Sequence, residues 1–349
     1  MAKSKENICT VRGSINHDEY FHVNHIVKPG ETISSHGHES RIGGKGANQA
    51  VAIARAGGRV KFYGTVGSDG MWIKEKMGGH GIDVEGILVA DEPTGRAIIQ
   101  VDDQGENSII LFPGANFSEE TERTFATRGE GWFPETTHLL LQNEIHPRSM
   151  EYALAHAGKG VCVIMNPSPL PSDAEIRAFS WHAVSWLLVN AAEALGLYMA
   201  LAGVGTDGAD GKGKDEKALE AREVLTLLMA LPAMRTTNVV CTLGARGVLA
   251  CFPRFEGKGK EDGDDPVLAY VPGAKLRGSA QDTTGAGDCF TGYFVQGLMT
   301  LGSSDISEEI VNVLKTCVVA AGMCCEKIGT IDSIPMRAEV EERMASSDP

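Results

Sequence analysis

The stretch Asp282-Thr283-Thr284-Gly285-Ala286-Gly287-Asp288 leads directly into an apolar helical pattern over Ala286–Leu301. Glycines before a helix let the backbone approach a ligand closely, and the first turn of a helix has N–H groups without intrahelical partners. Gly285 to Gly287 therefore predict successive N–H groups that face an anion, reinforced by the helix dipole. Asp288 follows within the first turn, where a carboxylate can accept a hydroxyl proton. The structural alternatives are a favourable first-turn carboxylate for Asp288 and a simple N-cap for Asp282.

A second glycine-rich segment, Gly43-Gly44-Lys45-Gly46-Ala47-Asn48-Gln49-Ala50, stands at the start of the predicted helix Ala47–Ala56. Paired glycines at a helix start again favour a close approach of the backbone to a ligand. A flexible turn is the alternative, but such a turn rarely carries both a lysine and an asparagine into a helix. Taken together, the two glycine-rich segments favour a binding site over two unrelated turns.

Short β-branched runs alternate with longer helical patterns along the chain. This alternation predicts a parallel sheet with helices on both faces, which is a three-layer α/β/α fold, and we expect a single domain over residues 1–345. The predicted strands are Asn7–Val11, Val60–Val66, His138–Leu141, Val161–Met165, Trp186–Val189 and Val239–Thr242. The predicted helices are Ala47–Ala56, Ser149–Ala157, Glu216–Leu231, Ala286–Leu301 and Ile310–Cys325.

Two regions, residues 17–41 and 94–112, break this rhythm with alternating polar and apolar residues. They predict a small antiparallel sheet that stands off the main one, a lid that closes over a ligand and excludes water. Five histidines lie in or beside the first region without metal-ligand spacing, and we interpret them as solvated lid residues: His17, His22, His25, His36 and His38.

Composition excludes several classes of function. The formal net charge of -14 disfavours binding to nucleic acid or to a membrane surface, although a nucleotide needs only a local pocket of N–H groups. The 8 cysteines contain no C-x-x-C pair and predict buried thiols in a reducing compartment. The apolar stretch Trp181–Val204 is interrupted by polar residues, and residues 1–12 are too polar for a signal peptide. We therefore expect a cytoplasmic protein.

Two Gly/Asp/Lys-rich stretches, Gly203–Lys217 and Phe255–Asp265, predict mobile surface insertions. The first contains a G-x-G-x-x-G pattern at 203–208, but no strand precedes it, so it does not predict a dinucleotide site. The sequon Asn116-Phe117-Ser118 carries no meaning in a cytoplasmic protein.

The two glycine-rich segments resemble the two signature sequences of the PfkB (ribokinase-like) carbohydrate kinase family. The resemblance extends from Gly13-Ser14-Ile15-Asn16 to Gly329-Thr330-Ile331-Asp332-Ser333-Ile334-Pro335. Within the family, Gly43–Ala50, Asn16-His17-Asp18 and Leu141-Gln142-Asn143-Glu144 are most similar to the members that phosphorylate ribose. The resemblance implies a ribokinase-like fold with a small β-sheet lid.

The activity that the resemblance implies is ATP-dependent phosphorylation of the O5 primary hydroxyl of D-ribose, giving D-ribose 5-phosphate and ADP. Another pentose, deoxyribose or a nucleoside is the alternative substrate. A non-catalytic sugar-binding regulator is the more distant alternative, and the intact Asp288 and Gly285–Gly287 argue against it. The family resemblance also implies Mg²⁺, K⁺ and a homodimer that pairs through the lid.

The resemblance assigns roles to particular residues. Asp288 is the implied general base, and Gly285, Ala286 and Gly287 form the implied anion hole. The implied sugar ligands are Asn16, Asp18, Gly44, Lys45, Gly46, Asn48 and Glu144, together with Asp288. The implied ATP-binding residues are Asn190, Thr242, Leu243, Gly244, Ala245, Arg246, Gly247 and Gly287.

Two ion sites are implied as well. Asn190 and Glu193 would lie near the Mg²⁺-bound phosphates. The implied monovalent-cation site consists of Asp282, Thr284, Cys324, Lys327, Gly329 and Ser333, mostly through backbone carbonyls. One departure from the family pattern is Val318, which stands where a polar residue near the adenine is expected.

Overall fold

The computed structural model describes residues 6–127, 135–204, 220–253, 266–301 and 306–346. The predicted insertion Phe255–Asp265 lies outside the described residues, as does nearly all of Gly203–Lys217 with its G-x-G-x-x-G pattern. The predicted helix Glu216–Leu231 is described only from residue 220 onward.

The strands of the described residues are β1 (Ile8–Arg12), β2 (Asn16–Val23), β3 (Gly37–Gly43), β4 (Arg59–Gly67), β5 (Asp83–Ala90), β6 (Gly95–Asp102), β7 (Asn107–Phe112), β8 (His138–Gln142), β9 (Cys162–Asn166), β10 (Trp186–Asn190), β11 (Asn238–Thr242), β12 (Val248–Phe252) and β13 (Val267–Val271). The helices are α1 (Lys45–Arg55), α2 (Met71–Gly79), α3 (Glu119–Thr127), α4 (Pro147–His156), α5 (Asp173–Ala178), α6 (Ala191–Ala202), α7 (Ala221–Ala230), α8 (Ala286–Thr300), α9 (Ile306–Cys325) and α10 (Arg337–Ser346). Every predicted strand and helix has a counterpart among them.

The main sheet has nine strands in the order β13-β12-β11-β10-β9-β8-β1-β4-β5. From β11 to β5 every pairing is parallel, which confirms the prediction. The edge strands β12 and β13 are antiparallel, and the alternation does not predict them. Only residues 243–247 separate β11 from β12, whereas a parallel connection needs a crossover of about a dozen residues or more. The short turn therefore forces the antiparallel direction.

The central strands are buried on both faces, which makes the fold three-layered. In β8, Leu140 belongs to one apolar cluster, whereas Leu139 and Leu141 belong to the other. The cluster of Leu140 also contains residues of α1, α2, α8, α9 and α10, and the opposite cluster contains residues of α4 to α7. Alternate side chains of one strand thus pack against helices on opposite faces of the sheet.

The lid is a second sheet with the strand order β3-β2-β6-β7, made by the two predicted regions. The expectation of a purely antiparallel lid is wrong, because the central strands β2 and β6 pair in parallel. β2 and β6 each follow a strand of the parallel main sheet, β1 and β5, and therefore leave the same edge in the same direction. The outer pairs, β2–β3 and β6–β7, are antiparallel.

The lid histidines do not all lie in solvent. His22, His25, His36 and His38 pair with acidic side chains on the lid surface, consistent with the interpretation as solvated residues. His17 is different, because its ring packs edge-on against Trp72 at 5.3 Å between ring centroids. Burial accordingly lowers the pKa of His17.

The apolar stretch Trp181–Val204 divides between strand β10 and helix α6. Among the helices that the structure describes, none is long and apolar enough to cross a membrane. All eight cysteines are free thiols, and six of them are buried.

Candidate active site

Helices α1 and α8 begin side by side at the edge where the parallel strands end. A Cβ added to Gly292 would lie 2.3 Å from the Cβ of Ala52, so only glycine allows the helices to approach this closely. One turn earlier in both helices, Asp288 meets Asn48 and Gln49. Residue numbers at the contact rise together along the two helices, from 288 against 48 to 292 against 52. The helices therefore run in the same direction, and their N-termini lie next to each other.

Asp288 is held by two amide side chains from α1. Its Oδ2 accepts a hydrogen bond from Nδ2 of Asn48 at 2.9 Å, and its Oδ1 accepts one from Nε2 of Gln49, also at 2.9 Å. The carboxylate is only 8% exposed. Asn48 is among the predicted site residues, whereas Gln49, which is fully buried, is not. A buried carboxylate with donors on both oxygens is fixed in place and retains lone pairs that can accept a proton.

The predicted anion hole starts at Gly285, the N-cap of α8, with φ of 78°. A side chain at Gly285 would also meet Thr330, whereas a Cβ at Gly287 would meet no described atom within 4 Å.

Asp282 is not the N-cap of α8. Its Oδ1 accepts from the N–H of Thr284 at 2.8 Å, and its Oδ2 accepts from the N–H of Gly329 at 3.0 Å. The Asp282 carboxylate therefore connects the loop of the predicted anion hole to the segment around Gly329.

Two further acidic side chains, Glu144 and Asp18, lie within electrostatic reach of Asp288. Glu144 accepts hydrogen bonds from the hydroxyl of Ser14 and from the N–H of Lys45. Asp18 is 8% exposed and projects from the lid strand β2. Within the described part of the chain, Oδ1 of Asp18 and Oδ1 of Asn48 are buried without a hydrogen-bond partner. Buried acceptors of this kind require a donor, so the site is suited to a ligand rich in hydroxyl groups.

The electrostatics of these groups are coupled. Burial, together with the nearby carboxylates of Glu144 and Asp288, raises the pKa of Asp18 to about 7. Burial likewise raises the pKa of Glu144. Burial alone would lower the pKa of Lys45, but the surrounding carboxylates, Asp288 first among them, outweigh it and raise the pKa. Lys45 is therefore a stable cation among acidic groups.

A cavity of about 190 Å³ joins several of the predicted sugar and nucleotide residues. Its lining includes Lys45, Asn190, Glu193, Thr242, Gly287 and Asp288. It also includes Asn166 and Ser168, which are not among the predicted site residues. Asn190 and Glu193 form a capping box at the start of α6, each side chain accepting from the backbone N–H of the other. The pair is thus fixed at the cavity by its own helix cap.

The segment Thr242–Gly247 forms the turn between β11 and β12. It is closed by the N–H of Leu243 donating to the carbonyl of Gly247 at 2.8 Å. Gly247, with φ of 102°, packs against the backbone of residues 271–273. That backbone lines a second cavity of about 340 Å³, whose opposite wall on α9 includes Val318. Val318 gives this wall an apolar surface where a polar residue is expected.

The residues of the implied cation site come together in two segments. The N–H of Gln281 donates to the carbonyl of Cys325, and Asp282 binds Gly329 as described above. Sγ of Cys324 lies 2.8 Å from Oγ of Ser333, which donates to the carbonyl of Thr330. No group of three or more His, Cys, Asp or Glu side chains suited to a metal is found among the described residues.

Asn116, which stands in the sequon, is a positioning residue that no sequence pattern predicts. It is buried and lies in the short helical turn Gly114–Phe117, which comes after the lid strand β7. Its Oδ1 accepts from the N–H of Ile15, and its Nδ2 donates to the carbonyl of Ile15 and to Oδ1 of Asn16 at 2.8 Å. Asn116 thereby holds the point where the chain enters the lid and orients the predicted sugar ligand Asn16.

Comparison with known proteins agrees with this geometry. The profile of the pfkB family carbohydrate kinases matches residues 8–337. The ribokinase of Haemophilus influenzae is 34% identical over 338 residues, which cover 95% of this chain and 97% of that protein. The crystal structure of ribokinase from Cryptococcus neoformans var. grubii serotype A in complex with ADP is 41% identical, with a TM-score of 0.80 over 97% of this chain and 100% of that chain. The structure of Arabidopsis thaliana ribokinase complexed with ribose and ATP is 26% identical, with a TM-score of 0.72 over 98% and 100% of the two chains. The protein belongs to the pfkB family of carbohydrate kinases.

Proposed function

We propose that the protein is a ribokinase, which transfers the γ-phosphoryl group of ATP to the O5 primary hydroxyl of D-ribose. The observation that carries the proposal is the buried Asp288 carboxylate at a glycine-rich helix N-terminus, beside the unpartnered acceptors of Asp18 and Asn48. The acceptors suit the hydroxyl groups of a sugar, and the helix N-terminus suits a phosphoryl group. The relatives named above are ribokinases, and the Arabidopsis thaliana structure holds ribose and ATP.

In the proposed reaction, Asp288 accepts the proton of the primary hydroxyl as the hydroxyl oxygen attacks the γ-phosphorus. The bond from the γ-phosphorus to the bridging oxygen of ATP breaks, and ADP leaves. The N–H groups of Gly285–Gly287 stabilise the charge on the transferring phosphoryl group. Lys45, a stable cation among carboxylates, lines the same cavity and adds positive charge there. Asn190 and Glu193 would face the phosphates, and Mg²⁺ bound there would neutralise phosphate charge. The lid carries Asp18 and Asn16 to the sugar and excludes water.

A coupled ADP-release assay with ribose, ATP and Mg²⁺ tests this function directly. We expect ribose to give the highest kcat/KM in a panel that also contains other pentoses, deoxyribose and nucleosides. Product analysis should identify ribose 5-phosphate. A higher kcat/KM for another member of the panel would identify that compound as the preferred substrate. If no member gave ADP release, the proposed kinase activity would be refuted.

Sugar binding should depend on pH near neutrality because of Asp18. With a pKa of about 7, Asp18 is increasingly protonated as the pH falls below neutrality, whereas sugar hydroxyls favour its ionised form. The sugar KM is therefore expected to rise by about tenfold per pH unit below about pH 7 and to level off above it. KM measured at saturating ATP between about pH 5.5 and 8.5 checks this expectation. Asp18→Asn should remove the dependence, and a flat wild-type profile would contradict it.

Potassium is proposed to bind among the carbonyls near Thr284, Cys324, Lys327 and Gly329, next to Asp282. A cation there would hold the backbone of Gly285–Gly287, so its effect should fall on turnover. We expect a higher kcat with potassium than with sodium, whose smaller radius suits a different carbonyl cage, or with a bulky organic cation at the same ionic strength.

Asp282→Asn should weaken this activation. Asparagine has one acceptor oxygen, whereas Asp282 accepts from both Thr284 and Gly329. Circular dichroism should show an unchanged fold. Equal rates in all three cations would leave Asp282 with only its structural role.

A homodimer through the lid is proposed from the apolar surface of β7. Ile109, Ile110, Leu111 and Phe112 are all exposed, and β7 lies at the edge of its sheet. Exposed edge strands and apolar patches favour pairing with a second copy. Sedimentation should show a dimer that Ile110→Glu converts to a monomer. Val267→Glu, on the exposed edge of the main sheet, is the matched control and should leave the dimer intact.

The proposal includes a single domain over residues 1–345 in a reducing, cytoplasmic compartment. The strand order supports one domain, because β1 from the N-terminal region lies between β8 and β4 in one continuous sheet, and α8 and α9 from the C-terminal region pack in the same cluster. Eight free thiols support a reducing compartment.

A further inference from the structure

A chain of buried amide groups connects the main sheet to Asp288 through Gln49. Nε2 of Gln49 donates to Oδ1 of Asp288 and to Oδ1 of Asn166, both at 2.9 Å. Oε1 of Gln49 accepts from Nε2 of Gln142 at 2.7 Å. Both hydrogens and the oxygen of the Gln49 amide are therefore engaged, and Gln49 and Gln142 are fully buried.

The orientation of the Gln49 amide is determined by its neighbours. Nδ2 of Asn166 donates to the carbonyl of Leu188 at 2.9 Å, which leaves Oδ1 of Asn166 to face Gln49. A reversed Gln49 would place its oxygen against two acceptors and its NH₂ group against a donor. The network thus permits one orientation, the one in which Gln49 donates to Asp288.

The network originates in the register of the sheet. Gln142 and Asn166 are direct partners at the carboxyl ends of β8 and β9, and Leu188 lies on the next strand, β10. Gln49 lies between these strands and Asp288 on α8. These hydrogen bonds therefore fix the position of Asp288 relative to the main sheet, and no lid residue belongs to the network.

Gln49 and Asn48 differ in whether a bound substrate can change their hydrogen bonds. Oδ1 of Asn48 has no partner among the described residues, so Asn48 is free to respond to a ligand. Gln49 has no such freedom. Asp288 also lies within electrostatic reach of the buried Asp18 and the partly buried Glu144. A fixed donor on Asp288 counteracts the mutual repulsion of these groups when the site is filled.

We propose that Gln49 is a positioning residue that holds the Asp288 carboxylate in its reactive orientation, and that Gln142 and Asn166 hold Gln49. This inference rests on the proposed function, because it gives Asp288 the role of general base. Gln49 itself touches neither the sugar nor ATP in this assignment. Its loss should therefore lower turnover and leave substrate binding nearly unchanged.

Gln49→Met keeps the length of the side chain and removes all three hydrogen bonds. We expect kcat to fall about ten- to a hundredfold, the range for a lost hydrogen bond to a charged group, with both KM values within about threefold. Gln142→Met should lower kcat by about three- to tenfold, because it removes only the support of Gln49. The double variant should be no slower than Gln49→Met alone, since both changes act through the same contact.

Thr237→Val is the control for lost stability. Thr237 is fully buried, and its hydroxyl donates to the carbonyl of Val184. The two residues precede β11 and β10, at the amino-terminal ends of the strands, whereas the site lies at the carboxyl ends. It should lower the unfolding temperature and leave kcat within about twofold. A kcat of Gln49→Met within about twofold of the wild type, or kcat losses that multiply in the double variant, would overturn the inference.

Crystal structures of the wild type and Gln49→Met separate this inference from the proposed function. We expect the Asp288 carboxylate to leave its wild-type position in the variant. An unchanged Asp288 would refute the positioning role, whatever sugar the wild type phosphorylates. If Asp288 were displaced in the variant but the wild type phosphorylated no sugar, the kinase activity would be refuted and the positioning role of Gln49 supported.

Discussion

Asp288→Asn is expected to lower kcat by about 10³–10⁴-fold, the upper part of the range for loss of a general base. Asparagine has nearly the same shape as aspartate, but its amide accepts no proton. The fold should persist, because α8 packs through many apolar residues, among them Phe290 and Phe294. Some destabilisation is expected, since Asn48 and Gln49 both donate to Asp288 and an asparagine offers them one acceptor.

The measurement is kcat for sugar-dependent ADP release, with ATP affinity by calorimetry and thermal unfolding as companions. We expect ATP affinity to change by less than about threefold. Asp173→Asn is the matched control: Asp173 is an exposed carboxylate on α5, and its loss should leave kcat within about twofold. A folded Asp288→Asn enzyme that retained a third of the wild-type turnover would show that Asp288 is not the base.

Asp18→Asn is expected to weaken sugar binding by about 10- to 150-fold, corresponding to the 1.5–3 kcal/mol of a hydrogen bond to a charged group. Oδ1 of Asp18 is buried without a partner among the described residues, so a sugar hydroxyl is its natural donor. The same substitution removes a carboxylate that Glu144 and Asp288 repel. The unfolding temperature should therefore not fall, which separates lost affinity from misfolding.

His36→Ala is the control for Asp18. His36 also lies in the lid region, but its side chain is 53% exposed and contacts the exposed Asp103 and the ring of His22. Its replacement should change the sugar KM by less than about twofold. If His36→Ala raised the sugar KM more than Asp18→Asn does, the sugar would lie outside the proposed pocket.

The sequence predicts the local features of the site well because they depend on neighbouring residues. A glycine before a helix and a carboxylate in its first turn stand at Gly285 and Asp288 whatever surrounds them. The two helix N-termini, the parallel strands and the two lid regions follow from composition and periodicity in the same way, and the structure confirms them.

Other features depend on residues that are distant along the chain. Gln49 and Asp288 are 239 positions apart, and their contact exists because Gly292 lets α8 approach Ala52. Asn116 stands in what the sequence shows only as a sequon, and its position beside Ile15 and Asn16 makes it part of the lid hinge. No local pattern distinguishes these amides from exposed ones.

The sequence by itself thus determined the fold class, the glycine-rich loop before α8 and the place of Asp288 in the first turn of that helix, since each follows from residue type and spacing within one segment. The catalytic role of Asp288 is the proposal made above. The tertiary structure alone decided the parallel pairing of β2 with β6 and the antiparallel direction of β12 and β13. It also decided which buried amides reach the Asp288 carboxylate. The physical reason is that strand direction and side-chain contacts depend on how separate segments pack, and a hydrogen bond forms only when both partners are brought within about 3 Å.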